Sequence, residues 1–403
     1  MRRQHRRGTL SLARRRRHFT PLVLVGLLVI LGGAIAAIAF SRIPTHAASS
    51  VRSGDQRFQA ATTINQLGRI SVIGSTAFIV NAQGRTISAD ANPYGIAIAP
   101  RSVSLSKAAG SLRPGDIVVT NFGANQTGTT LVRFPAGRGP GHLFNATPSA
   151  ATKGPAFEAF NTMSGTDWVA NFSGNNVQAF NANGTVLATI TSPLFNGPWG
   201  QAFNQGLRNR ADGSVASFFV SNAGNATIDR IDVIPTAKGT TFRVFQIGQL
   251  TQVMGGSKVN ITWVPSLRAR GQLFVDVLIA IDPSTNRVAV FPNSTTVNTT
   301  NARSTNKGIT VFQGKPLNMP GGLSINPLNG DLLVVNLNDN NLVELNLRQG
   351  RAVGVRQLDN VPVDQQSGNG SALFGVLGGR DARGNLEVFF TDDNTNTLNL
   401  LSV

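Results

Sequence analysis

The chain has 403 residues, of which 43 are glycine, 19 proline and none cysteine, with 14% charged. That composition suits many short strands joined by tight turns, and it excludes disulfides, thiol nucleophiles and thiolate metal sites. The net charge of +17 is concentrated at the start: ten of the 36 basic residues precede residue 54, leaving 26 against 19 acidic ones, or +7, for the remainder, so nucleic-acid binding by the folded part loses its electrostatic footing.

Residues 1–20 hold Arg2, Arg3, Arg6, Arg7, Arg14, Arg15, Arg16 and Arg17 and no acid, and residues 21–40 hold no charge at all. At about 1.5 Å per helical residue, this apolar run spans a hydrocarbon core of about 30 Å. Arginines before such a span stay cytoplasmic, which puts the rest of the chain outside. Residues 21–41 are therefore predicted to be a transmembrane anchor behind a basic tail. The competing reading is a signal peptide cleaved near Ala47 or Ala48, although apolar cores of signal peptides usually run only about 7 to 15 residues. The first gives a single-pass cell-membrane protein with an extracytoplasmic domain, the second a secreted one. Residues 42–68, rich in Ser, Ala, Thr and Gln, read as a linker, and residues 69–403 as one domain.

Within that domain one pattern recurs. An apolar run ends in Asn or Asp, a Gly/Asn-rich turn follows, and an apolar residue stands nine positions beyond the Asn or Asp, as in DLLVVNLNDNNLVEL. Such a pattern is a β-hairpin. The marker residues are Asn121, Asn171, Asn222, Asp282, Asn336 and Asp392, at intervals of 50 to 60 residues, and the first copy has a longer turn. Repeats of this length with strands in each unit predict a propeller with one small sheet per repeat, here six blades. Upstream of most hairpins lies a Pro-x-Gly-like entry into a short strand, as in NPYGIAIAP and MPGGLSINP. Small residues (Ala97, Ala159, Ala202, Thr262, Ser324) alternate along these strands with large ones (Ile98, Phe160, Phe203, Trp263, Ile325), which marks the innermost strand, where blades converge.

Fourth strands are expected at residues 242–245, 309–312 and 353–358. The last blade lacks one and must borrow a strand from the N-terminal side. Residues 70–73 and 77–80 are the candidates, and residues 77–80 are the expected closure. Residues 137–152, 204–213 and 292–307 read as loops. The predicted fold is thus all-β: a six-bladed propeller of four-stranded antiparallel blades, closed by an N-terminal strand and preceded by one transmembrane helix.

The unit Pro-x-Gly-strand, then strand-Asn/Asp-x-x-Asn-turn-strand, resembles the NHL repeat of six-bladed propellers, a group that includes lactonase-like and lyase-like members. MPGGLSINPLNGDLLVVNLNDNNLVELNL carries the likeness best, over residues 92–403. Asn replaces the usual Asp in four of six units, so no member's activity transfers wholesale.

Catalytic side chains are sparse. His142, in a Gly/Pro-rich stretch, is the domain's one histidine, and it reads as an exposed loop residue. The resemblance to lactonase-like propellers implies a Ca²⁺-type axial site, for which Glu158, Asp282 and Asp392 are candidate oxygen donors. Glu158, beside Phe157 and Phe160, needs a partner there, either a metal or an ordinary salt bridge or hydrogen bond. Asp339 and Asp393 read as solvated turn residues. Tyr94, Trp199, Asn121, Asn171, Asn222 and Asn336 mark a candidate binding rim. Against that, Asn at a turn has its own backbone to bond, and the aromatics have a core to fill. The chain reads as an extracytoplasmic, membrane-tethered module binding a protein, peptide or carbohydrate, or alternatively as a divalent-metal-dependent hydrolase with its site on the propeller axis.

Overall fold

A computed structural model describes residues 61–104, 110–145, 151–204, 212–252, 256–296 and 305–403. The basic tail, the apolar segment and residues 42–60 lie outside the described residues, and no helix among those described is long and apolar enough to cross a membrane.

Six sheets, each with four antiparallel blade strands, follow one another along the chain. From inner to outer strand, blade 1 is Pro93–Ile98, Ile117–Asn121, Leu131–Phe134 and His142–Leu143. Blade 2 is Pro155–Phe160, Asp167–Asn171, Asn176–Phe180 and Val186–Ile190. Blade 3 comprises Pro198–Asn204, Ala216–Asn222, Thr227–Thr236 and Gly239–Gln249, and blade 4 Asn260–Ala269, Gln272–Asp282, Arg287–Phe291 and Ile309–Gln313. Blade 5 is Pro320–Ile325, Leu332–Asn336, Asn341–Asn346 and Arg351–Gln357. Blade 6 contributes Leu373–Arg380, Leu386–Asp392 and Thr397–Ser402, and Arg69–Ser75 completes it. The inner strand of each blade lies between those of its two neighbours, that of blade 6 meeting that of blade 1, so the ring is shut.

The expected closure at residues 77–80 is corrected. Arg69–Ser75 pairs along the whole of Thr397–Ser402, while Phe78–Val80 turns back with Thr86–Ser88 and extends blade 1 through a parallel bridge from Val80 to His142. Ladder length decides between them: Arg69–Ser75 offers seven residues to the six of Thr397–Ser402, whereas Phe78–Val80 offers three. The outer strand of blade 1 likewise falls within the stretch expected to be loop, at His142–Leu143, and His142 is half-buried there opposite Arg133. The end of the expected linker is also packed. Ile64 and Leu67 are buried with Leu342 and Leu386, and the Ile64 N–H donates to Glu344 Oε2 at 2.9 Å.

The core is a set of six seams between neighbouring blades rather than one central mass. In the seam between blades 4 and 5, for example, Ile279, Val288 and Val290 meet Leu332, Val334 and Leu345. Each such side chain stabilises the fold by about 1.5–3 kcal/mol. The hairpins are set by a residue four positions after each marker, which takes a left-handed conformation in all six blades: Asn125, Asn175, Ala226, Asn286, Asn340 and Asn396, with φ between 48° and 56°. Asparagine tolerates that region better than other side-chain-bearing residues, hence its use five times in six.

Candidate functional site: an aromatic cup over an axial channel

The Pro-x-Gly entry is a bulge. In blades 1, 3 and 6 its extra residue is held by a hydroxyl just before the marker: Thr120 Oγ1 accepts from Gly95 N–H at 2.8 Å and donates to the Ala156 carbonyl of blade 2 at 2.6 Å. Ser221 joins Gly200 to Val259 and Thr391 joins Gly375 to Tyr94 in the same way. The hydroxyl thus bonds one blade to the next at the axis, and it turns the residue before each bulge glycine toward the ring's centre. A Cβ on Gly95 would collide with Glu158 Oε2 and stand 2.7 Å from Thr120 Oγ1, so glycine is required there.

Those centre-facing residues, with Phe122 and Phe172 that follow the first two markers, build an aromatic cup at one mouth of the axis. Tyr94 is stacked between Phe374 (ring centroids 3.8 Å apart) and Phe122 (4.4 Å). Trp199 meets Phe122 and Phe172 edge-on at 5.4 and 5.8 Å. Lys258, just before the inner strand of blade 4, places Nζ 5.0 Å from the Phe374 ring centre, a cation–π contact. A cavity of about 250 Å³ opens between Phe122, Phe172, Trp199, Gly224 and Lys258. Two polar groups here lack hydrogen-bond partners among the described residues: the buried Trp199 indole Nε1–H, and Asp393 Oδ1. Burial lowers the Lys258 ammonium's pKa, with Asp393 opposing. Burial, then the neighbouring Asp392, pushes the Asp393 carboxyl up to about 7 against the pull of Lys258. Tyr94 is raised by burial and by Asp393.

Beyond the cup the axis continues as a channel of about 250 Å³, walled by all six inner strands, with Glu158 and Gln201 on its wall. Both are about 94% buried, and neither Glu158 carboxylate oxygen nor either Gln201 amide atom has a hydrogen-bond partner among the described residues. Among the described residues no basic side chain forms a salt bridge with Glu158. Instead Asp167, also buried and unpartnered, faces the same seam between blades 1 and 2. Burial and then Asp167 raise Glu158 well above the usual carboxylate range, while Thr120 and its own backbone oppose this, and burial pushes Asp167 up to about 8. Two carboxyls buried in one seam resist ionising together, so each holds its proton to higher pH than an exposed one.

The structure separates the sequence's candidates. Glu158 lines the channel, whereas Asp282 accepts from Ser284 Oγ at 2.7 Å and faces Arg287, and Asp392 accepts from Thr395 N–H, each within its own turn. Among the described residues no group of three or more acidic or histidine side chains gathers as metal ligands. The four rim asparagines are buried framework. Asn121 donates to the Thr76 carbonyl at 2.9 Å, Asn171 to Gln178 at 3.1 Å, Asn222 to Asp229 at 2.7 Å and Asn336 to the Pro316 carbonyl at 2.9 Å. They fasten each hairpin and its incoming connection, so the polar half of the expected rim points inward. Tyr94 and Trp199 do come together, in the cup. Asp393, expected to be solvated, is drawn half-buried toward Lys258. Phe122, Phe172, Phe374, Lys258, Gln201 and Asp167 were not among the candidates. Reading the residue after each marker would have exposed Phe122, Phe172 and Asp393, while Lys258 carries no local signal.

The architecture defines a six-bladed β-propeller. No protein-family model matches the chain, and no curated protein matches it in sequence. Among solved structures, a protein of unknown function from Bacteroides thetaiotaomicron is similar over 83% of this chain and 75% of its own, at 11% identity and a TM-score of 0.50. A streptogramin B lyase is similar over 83% and 97%, at 14% identity and a TM-score of 0.46. An auxiliary nutrient binding protein from Bacteroides thetaiotaomicron is similar over 78% and 69%, at 8% identity and a TM-score of 0.48. Identities this low speak to fold alone, and the fold they share with this chain is the β-propeller.

Proposed function

We propose that this propeller is a ligand-binding module, tethered to the membrane by residues 21–41 and displayed on the extracytoplasmic side. The observation that carries the binding reading is the cup, an aromatic-lined hollow at one mouth of the ring with a buried indole N–H and a lysine that have no hydrogen-bond partners among the described residues. Apolar pockets with a few convergent polar groups are where small molecules bind. The test is a thermal-shift panel of monosaccharides, short peptides and small aromatic molecules on the full-length protein. Binding raises the midpoint by mass action, whereas turnover of a small ester with no ligand giving a shift would overturn the reading. For the orientation, Gln365→Cys in this cysteine-free chain should react with an impermeant maleimide on intact cells. Labelling only after lysis would place the domain inside.

The hydrolase reading retains one observation, the bare Glu158 carboxyl beside Gln201 on the channel wall. A hard cation takes about six to eight oxygens, and these two side chains with Asp167 fall short of that shell, so no hydrolytic step is derived. A Ca²⁺-dependent rise in melting temperature, lost in Glu158→Gln, would favour this reading.

A further inference from the structure

We propose that the cup takes a small ligand bearing a carboxylate on a flat apolar body, the carboxylate received by Lys258 Nζ and the Trp199 indole N–H and the body lying against Phe122 and Phe172. The inference rests on the binding reading above and adds the chemical class of ligand.

The donors decide the class. Lys258 offers three N–H donors and Trp199 one, and none of the four is used: Lys258 makes no hydrogen bond or salt bridge among the described residues, and the Trp199 indole nitrogen is buried without a partner. The buried indole N–H left unsatisfied costs about 1–3 kcal/mol, whereas Lys258 is half-buried and borders the cavity. A ligand supplying a two-oxygen anion satisfies the first and engages the second at once. A cationic ligand would meet Lys258 itself, already seated over Phe374, and a neutral apolar one would leave both donors bare. The walls suit a flat body: Phe172 is half-buried at the cavity, and Phe122 stands beside it with ring centroids 5.7 Å apart.

Asp393 is the site's internal competitor. Its carboxyl lies close enough to Lys258 to shift that group's titration, and it carries its own unpartnered oxygen, yet it forms no ion pair with the lysine. The charged and titratable groups acting on it are Lys258, Asp392 and Tyr94. As pH rises through about 7, Asp393 ionises. Its charge then opposes an incoming carboxylate for Lys258.

The experiment is calorimetric titration of the full-length protein with phenylacetate, phenylacetamide and phenethylamine, matched in shape and differing in charge, with tryptophan emission followed in parallel. Phenylacetate should bind about tenfold or more tighter than the other two and perturb tryptophan emission. Lys258→Met should bring its affinity down to that of the amide. Asp393→Asn should tighten phenylacetate binding at pH 8 and flatten its pH dependence, a gain that a damaged fold does not produce. Equal binding of all three probes, or phenylacetate binding unchanged in Lys258→Met, overturns the carboxylate class while leaving the binding reading intact. Failure of all three to bind takes the cup reading down with it.

Discussion

Asp229 offers a direct measure of how strongly the seams desolvate charge. It is wholly buried in blade 3, with Oδ2 accepting from Asn222 Nδ2 at 2.7 Å and Oδ1 without a partner, and burial pushes its carboxyl from 3.8 up to about 8 against the pull of Asn222. The folded chain therefore keeps a proton that the unfolded chain has lost at every pH between about 4 and about 8. A folded-state pKa raised this way contributes stability that is complete below the unfolded value and is lost as pH rises through the folded one. The slope is about 1.4 kcal/mol per pH unit, so from pH 5 to pH 7 this one residue should remove roughly 3 kcal/mol. Asp229→Asn keeps the bond from Asn222 through its amide oxygen and cannot ionise. Urea unfolding followed by circular dichroism at pH 5 and pH 7 should show the wild type losing about 3 kcal/mol more than the variant between the two. Glu158 and Asp167 slope in the same direction in both proteins and cancel in the comparison. Equal pH dependence of wild type and variant would refute the reasoning.

Three further outcomes are expected. Asn340 holds φ 50°, donates to the Gly370 carbonyl at 2.7 Å and accepts from Ala372 N–H at 3.0 Å. Asn340→Ala should cost about 2–4 kcal/mol in urea unfolding and Asn340→Gly about 1 kcal/mol less, because only the strain is relieved. The wholly buried Arg230 pairs with Asp232 at 2.9 Å, so Asp232→Ala should remove a carboxylate from a buried guanidinium and lower stability by roughly 3–5 kcal/mol, with Asp232→Asn costing less. Deleting residues 69–75 should bare the edge of Thr397–Ser402 and drive association visible by size-exclusion chromatography, whereas deleting residues 81–85 should leave a closed monomer.

The scaffold was legible because each blade is nearly contiguous in the chain. The marker, the Asn four residues later and the alternating inner strand are local facts about turns and pleats, and they fix six sheets and their order without reference to anything distant. The same locality misled where two segments had equal strand character: residues 70–73 and 77–80 cannot be told apart until the length of each segment's ladder and its partner are seen. It misled again at the asparagines, whose amides answer both to turn geometry and to a rim, and which the folded ring spends on its own connections.

The candidate site has no such local signature, since a propeller's axis takes about one residue from each blade and joins positions some fifty residues apart. Lys258 reads as one surface lysine among others until Phe374, Tyr94 and Asp393 close around it, and Asp393 reads as a wet turn until the cup desolvates it. Glu158 drew notice as a carboxylate beside phenylalanines, but its company was settled only when the seam brought up Asp167 from its own blade and Gly95 from the neighbouring one. Sequence alone determined that the chain repeats six times and how each turn is made, because hydrogen bonding within a sheet is short-range. Which side chains meet in the middle, and what charge they can bear there, was decided by closure, because removal from water belongs to the assembled ring and to no segment of it.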